Sequence, residues 1–167
     1  MLILLDVGII TILQYMKRIT RKKGPVVAKK VVYDSITFAS GLEKYMYKAL
    51  KDAGIEFKYE GRTYQLLDTF QFDSSSIERQ SNGKGDFVDR GNKKVLGIKY
   101  TPDFEGDGWT CETKGRANES FPLRYKLFKD WIRRNDPGRL LLKPQTQAEC
   151  CEAVEIIKKH LKNGNKG

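Results

Sequence analysis

Tyr100-Thr101-Pro102-Asp103-Phe104, followed by Cys111-Glu112-Thr113-Lys114-Gly115, is the stretch on which the reading of this chain turns. Val95 to Phe104 reads as a strand, Glu105-Gly106-Asp107-Gly108 as a turn, and Trp109 to Lys114 as the returning strand. Alternation along a strand puts Glu112 and Lys114 on one face and Cys111 and Thr113 on the other. A turn closing over Gly106-Asp107, or over all four residues from Glu105 to Gly108, pairs Asp103 with Thr110. Asp103 then shares the face of Glu112 and Lys114 and lies diagonal to Glu112. Diagonal cross-strand neighbours are roughly 7–8 Å apart, close enough for two carboxylates to meet one hard cation. Mg²⁺ favours one or two protein carboxylates, leaving its other positions to water and substrate phosphate. It lowers the pKa of a bound water and neutralises charge gathering on phosphorus, and Lys114 can orient that water or stabilise the same charge. Glu-Thr-Lys alone is the pattern of an ordinary solvated strand. Pro102-Asp103 on the matching face of a basic protein shifts the reading to a metal site.

Upstream, Leu42, Tyr45, Met46, Ala49, Leu50 and Ala53 recur at helical spacing after Ser40, and Gly54 supplies a C-terminal stop. Ile55 to Glu60 and Thr63 to Phe72 read as strands. Residues 73–94 are polar, rich in Gly, Ser and Asn, and read as a long hairpin tip or a mobile insertion. Downstream, a helix is predicted from about Pro122 to Arg134, with Ser120 as its candidate cap, then a short strand from Arg139 to Leu142. A last helix opens at Thr146 with the capping box Thr146/Glu149 and turns Ala148, Cys151, Val154, Ile157 and Leu161 inward. The order is helix, three strands, helix, strand, helix: an α/β chain whose strand meander feeds a crossover helix.

Pro102-Asp103 with Glu112-Thr113-Lys114, in this order of elements, resembles the PD-(D/E)xK metal-dependent nuclease superfamily, whose αβββαβ core carries a central mixed sheet flanked by helices. Ser40-Gly41-Leu42-Glu43, Tyr100 to Phe104 and Glu112 to Gly115 are similar to the bacteriophage endonuclease I group, which resolves Holliday junctions. The likeness runs from about Phe38 to Arg134. It implies that Asp103 and Glu112 are metal ligands, Lys114 the catalytic lysine, and Glu43 a further acid of the site. Ser40-x-x-Glu43 is also a capping box, which by itself accounts for an acid at that position. Glu60 aligns with an acidic position of the family or is a charge flanking a turn. Two features have no place in the family's pattern: the length of the polar insertion and the apolar Met1–Met16 leader.

The 167 residues include 31 Lys and Arg against 21 Asp and Glu, a formal net charge of +10 that points to a polyanion. Lys17, Arg18, Arg21, Lys22, Lys23, Lys29 and Lys30 supply seven of those charges with no acid among them. They form either a solvated arm or a grip on phosphate. Residues 1–37 thus read as an apolar leader with a basic arm, and 38–167 as a nuclease domain. The Met1–Met16 run falls short of the ~20 residues of a bilayer span and lacks the basic start of a secretory signal. It reads as an extra strand, a packing arm, or an extension ahead of a start at Met16.

On the helix after Lys114, Lys126, Lys129 and Arg133 line one side, and Phe121, Tyr125, Leu127, Phe128, Trp131 and Ile132 the other. Arg124 falls within the apolar arc, where it either meets a buried anion or snorkels to water. With the basic arm, these residues make up the expected DNA contacts. Other chemistries find little support. His160 is the single histidine, and Cys111, Cys150 and Cys151 lack metal-ligand spacing, with Cys151 read as core and Cys150 as incidental. Gly83-Lys84-Gly85 lacks the strand-to-helix setting of a phosphate loop.

The expectation is a Mg²⁺-dependent DNA endonuclease, with Mn²⁺ as a substitute metal and no small-molecule cofactor. Its substrate would be branched DNA, in the cytoplasm of a bacterial or phage-infected cell and away from membranes. Symmetric junction cutting would make it a homodimer. The alternatives are a nuclease of the same fold acting on flaps, nicks or mismatches, and a DNA-binding module without catalysis.

Overall fold

The computed structural model describes residues 29–79, 82–115 and 120–164. The Met1–Met16 leader and Lys17, Arg18, Arg21, Lys22 and Lys23 lie outside the described residues, whereas Lys29 and Lys30 are described and exposed. A hairpin of β1 (Val31–Tyr33) and β2 (Ile36–Phe38) opens the described chain, turning through Asp34 and Ser35 at φ 55° and 60°. It spans the expected boundary at residue 37, and Phe38 is fully buried.

Ser40 starts α1 (Gly41–Asp52) in an extended conformation, its hydroxyl accepting the Glu43 N–H at 3.2 Å. Gly54 ends it at φ +65°, the left-handed conformation glycine adopts without a Cβ penalty. The strand expected over Ile55–Glu60 shrinks to β3 (Lys58–Tyr59). Ile55 is drawn back to the helix, donating its N–H to Leu50 O while its side chain enters the core.

The strand expected from Thr63 to Phe72 divides into β4 (Tyr64–Leu67) and β5 (Phe70–Phe72), and β6 (Ile77–Glu78) and β7 (Val88–Asp89) follow. The next expected strand divides into β8 (Lys93–Val95), β9 (Ile98–Tyr100) and β10 (Phe104–Gly106). β5 pairs with β8 and β6 with β7, so the described residues of the polar segment 73–94 lie on an antiparallel ribbon, the hairpin of the two readings. At the ribbon's base β4 pairs with β9 through an irregularity between Gln65 and Leu67.

The main sheet is mixed and four-stranded, in the order β12 (Leu140–Leu142), β11 (Trp109–Cys111), β10, β3. β10 runs antiparallel to β3 and β11. β11 and β12 are parallel, joined through α2 (Phe121–Asn135), the crossover that parallel strands need. Ser120 precedes α2 in a helical conformation, and its side chain makes no capping bond. α3 (Gln147–Gly164) follows with the expected capping box: Thr146 Oγ1 accepts from Glu149 N, and Glu149 Oε2 from Gln145 N.

Two apolar clusters sandwich the sheet. Met46 and Leu50 of α1 and Cys150, Val154 and Ile157 of α3 pack on Phe104, Trp109 and Cys111. On the other side Phe128 and Ile132 of α2 pack on Tyr64, Tyr100 and Leu141. Leu140 and Leu142 join the first cluster while Leu141 joins the second, the alternation a strand imposes. The two cysteines of α3 reverse their expected roles: Cys150 is buried and Cys151 exposed. Ala148, also expected inside, is exposed. The inward stripe is carried by Cys150, Ala153, Val154 and Ile157, a rotation of the helix set by its packing on α1. No helix among the described residues is long and apolar enough to cross a membrane.

Candidate active site

The β10–β11 turn closes over Asp107-Gly108, with Gly108 at φ +67°, and pairs Glu105 with Thr110 and Gly106 with Trp109. That is two residues away from the expected pairing of Asp103 with Thr110. Gly106 is the last residue of β10, and its lack of a side chain admits the Trp109 indole, whose nitrogen would lie 2.4 Å from a Cβ there. Because strand faces repeat every second residue, the shift preserves the shared face and brings Asp103 opposite Glu112 rather than diagonal to it. The returning strand expected to reach Lys114 ends at Cys111, where its pairing with β10 ends, yet the backbone keeps its parallel contact, with Glu112 N donating to Leu142 O and Lys114 N to Pro144 O, each at 3.0 Å.

Asp103 and Glu112 line a cavity of about 180 Å³ together with Tyr100, Thr101, Lys114, Ser120, Phe121 and Arg124. Asp103 Oδ2 accepts two hydrogen bonds from Thr113, from the amide at 2.7 Å and the hydroxyl at 2.6 Å. Burial, and then the charge of Glu112, nevertheless push the Asp103 carboxyl up to about 7 against the pull of those donors. Burial raises Glu112 as well, with the Tyr100 hydroxyl and the Lys114 charge opposing. Lys114 Nζ lies 3.7 Å from Glu112 Oε1, while Oε2 is buried without a hydrogen-bond partner. Two desolvated carboxylates share one neighbouring ammonium, and one oxygen of Glu112 stays without a hydrogen-bond partner, so the pair can take further positive charge. Mg²⁺ fits it: the ligands are hard oxygens, two in kind, with room beside them for water. Among the described residues no group of three or more His, Cys, Asp or Glu gathers around one point, so a bound ion would draw its remaining ligands from water and substrate.

Glu43 does not line the cavity. Its carboxylate accepts from Ala39 N, Ser40 Oγ and the Tyr59 hydroxyl, each at 2.9 Å, which completes the capping box. Its charge still contributes to raising both Asp103 and Glu112. Glu60 is a turn residue at φ +47° with an exposed side chain, and its backbone N–H, not its carboxylate, reaches the site, donating to Asp103 O at 2.8 Å.

Of the two fates open to Arg124, the structure shows exposure: the side chain reaches the rim of the cavity and donates to Lys99 O. Lys126, Lys129 and Arg133 are all on the exposed side of α2, but Arg133 is tied to Asp130 at 2.7 Å.

Four contributors lacked a local sequence signal. Thr113, assigned by alternation to the far face, turns to Asp103 once the β10 ladder ends. Tyr100 caps the cavity against Phe128, their rings 4.5 Å apart. Tyr59 clamps Glu43, and Lys143 stands near Phe121 and Tyr125, 6.0 Å from each ring centroid. No family model, no curated protein and no solved structure matches the chain.

Proposed function

We propose that this protein is a Mg²⁺-dependent DNA endonuclease, built like the PD-(D/E)xK enzymes and directed to branched DNA in the manner of a phage Holliday junction resolving enzyme. The observation that carries the reading is the meeting of Asp103 and Glu112 in one cavity at the end of the β10–β11 hairpin, with the Lys114 ammonium beside Glu112 and one Glu112 oxygen buried without a hydrogen-bond partner. Asp103 and Glu112 would hold Mg²⁺, or Mn²⁺ in its place, which supplies an activated water and offsets charge on the phosphoryl oxygens. Thr113 fixes the Asp103 carboxylate through two hydrogen bonds. Lys114 orients the attacking water or stabilises the oxyanion. Water oxygen bonds to phosphorus, the bond from phosphorus to the leaving sugar oxygen breaks, and a second water returns the proton to that oxygen. Glu43 acts through its field from within the capping box. The reaction belongs in the cytoplasm of a bacterial or phage-infected cell, where such DNA arises.

The test is incubation of the purified protein with an immobile four-way junction and with its linear arms, with and without Mg²⁺. Cleavage of the junction in Mg²⁺, none in chelator, and collapse of cleavage by at least ~100-fold in Lys114→Ala with DNA binding retained are expected. Binding without cleavage in either Mg²⁺ or Mn²⁺ would leave a DNA-binding module. Equal cutting of flaps, nicks or mismatches would leave a nuclease of broader structural preference.

A further inference from the structure

The two hydrogen bonds that fix Glu112 and Lys114 bracket a third residue. Glu112 N reaches Leu142 O and Lys114 N reaches Pro144 O, so Lys143 is clamped between them. Extending the parallel register of Cys111 with Leu142 by one step puts Lys143 level with Glu112 and on the same face. Its ammonium is nonetheless engaged elsewhere, 6.0 Å from the centroids of both Phe121 and Tyr125. Those two rings stack on each other at 5.3 Å and 18°. Lys114 lies over Phe121 at 4.8 Å and Lys129 over Tyr125 at 5.1 Å.

Three ammonium groups therefore gather on one aromatic pair at the mouth of the cavity. Ring faces attract cations but do not neutralise them. Among the described residues neither Lys129 nor Lys143 makes an ion pair with a carboxylate, in contrast to Arg133 and Arg134, both tied to Asp130. Mutual repulsion among ammoniums that share a support is relieved by an anion between them. Since cations already lie over these ring faces, a backbone phosphate suits the place better than a stacked base.

We infer that Lys143 and Lys129, supported on the Phe121–Tyr125 ring pair beside the Asp103/Glu112 cavity, form a second phosphate subsite that takes the phosphodiester neighbouring the one to be cut. This rests on the nuclease reading for its substrate, a DNA strand, but not for its binding chemistry. The subsite reads no sequence. It sets the strand's path across the cavity, with Lys114 as the cation common to both places.

The test uses the full chain and a fluorescent four-way junction in chelator, with affinity measured from about 50 to 200 mM KCl. Lys143→Gln should lower the slope of log affinity against log salt by about 1, and Lys143→Gln with Lys129→Gln by about 2. Lys159→Gln, the same charge lost from an exposed position on α3, serves as control and should leave the slope unchanged. In Mg²⁺, Lys143→Gln should raise KM several-fold and change kcat little. Slopes for the two subsite variants equal to the control would overturn the subsite, even if the wild type cuts. A wild type that binds with the expected slopes but never cuts would overturn the nuclease reading and leave the subsite standing. No DNA binding at all would overturn both.

Discussion

Asp103 accepts two hydrogen bonds from Thr113 and still has its carboxyl pushed up to about 7, because burial and the charge of Glu112 outweigh the donors. The same carboxyl titrates near 3.8 in an unfolded chain, so without metal the folded protein holds a proton that the unfolded chain releases. The stability contributed by the protonated form is complete below that unfolded value and is lost as pH rises through the folded one. Asp103→Asn keeps an acceptor for both Thr113 donors and removes the charge. It should raise metal-free stability on the order of 1–2 kcal/mol at pH 8, give no gain near pH 4, and abolish cleavage. Urea midpoints at the two pH values check this, and a loss of stability at pH 8 would contradict it. At this scale the sequence was informative where the rule was local. Alternation with an assumed turn grouped Asp103, Glu112 and Lys114, which line one cavity although the register differs by two residues. It could not place Thr113 against Asp103, since that depends on where the ladder stops, nor Lys143 beside Glu112, since β12 reaches β11 only after the α2 crossover.

At the scale of elements, the ribbon from β5 to β8 is the clearest case of local pairing without a share in the core. Neither apolar cluster includes a residue between Asp68 and Leu96, and Phe87 and Leu96 are 64% and 76% exposed. Phe72 already pairs with Lys93, so replacing residues 73–92 by Asn-Gly closes the ribbon on a favoured two-residue turn. The melting temperature should stay within about 4 °C of the wild type, the shift produced by roughly 1 kcal/mol. Loss of cooperative melting would mean that the ribbon supports the fold. The helices were legible to within a residue or so at most ends because capping boxes, Pro122 and Gly54 mark them. The strands were less so. Long predicted strands broke at Asp68-Thr69, Leu96-Gly97 and Thr101-Pro102, where the chain passes from one sheet to another, and a local pattern does not record such a change of partner.

Across the whole molecule, the segment Lys17 to Lys30 supplies seven of the ten net positive charges, while Asp103 and Glu112 line the cavity with Lys114 and Arg124. On the proposed nuclease reading one cavity would cut one strand, so resolving a junction symmetrically would require two copies. Light scattering should give twice the monomer mass. Mixed dimers of wild type with Lys114→Ala should nick the junction in one strand without resolving it. A monomer that resolves junctions symmetrically would refute the paired arrangement.

The sequence by itself determined the helices, the capping boxes at Ser40 and Thr146, and the excess of cationic charge, because each depends on composition or on neighbours a few residues apart. Tertiary structure alone decided the register of the β10–β11 hairpin, the choice of Cys150 over Cys151 for the core, the engagement of Glu43 by Tyr59, and the meeting of Lys114, Lys129 and Lys143 over one pair of rings. Each of these involves packing between distant segments: β3 and β12 flank the β10–β11 hairpin, α1 sets the rotation of α3, and the parallel β11–β12 ladder carries Lys143 to the site.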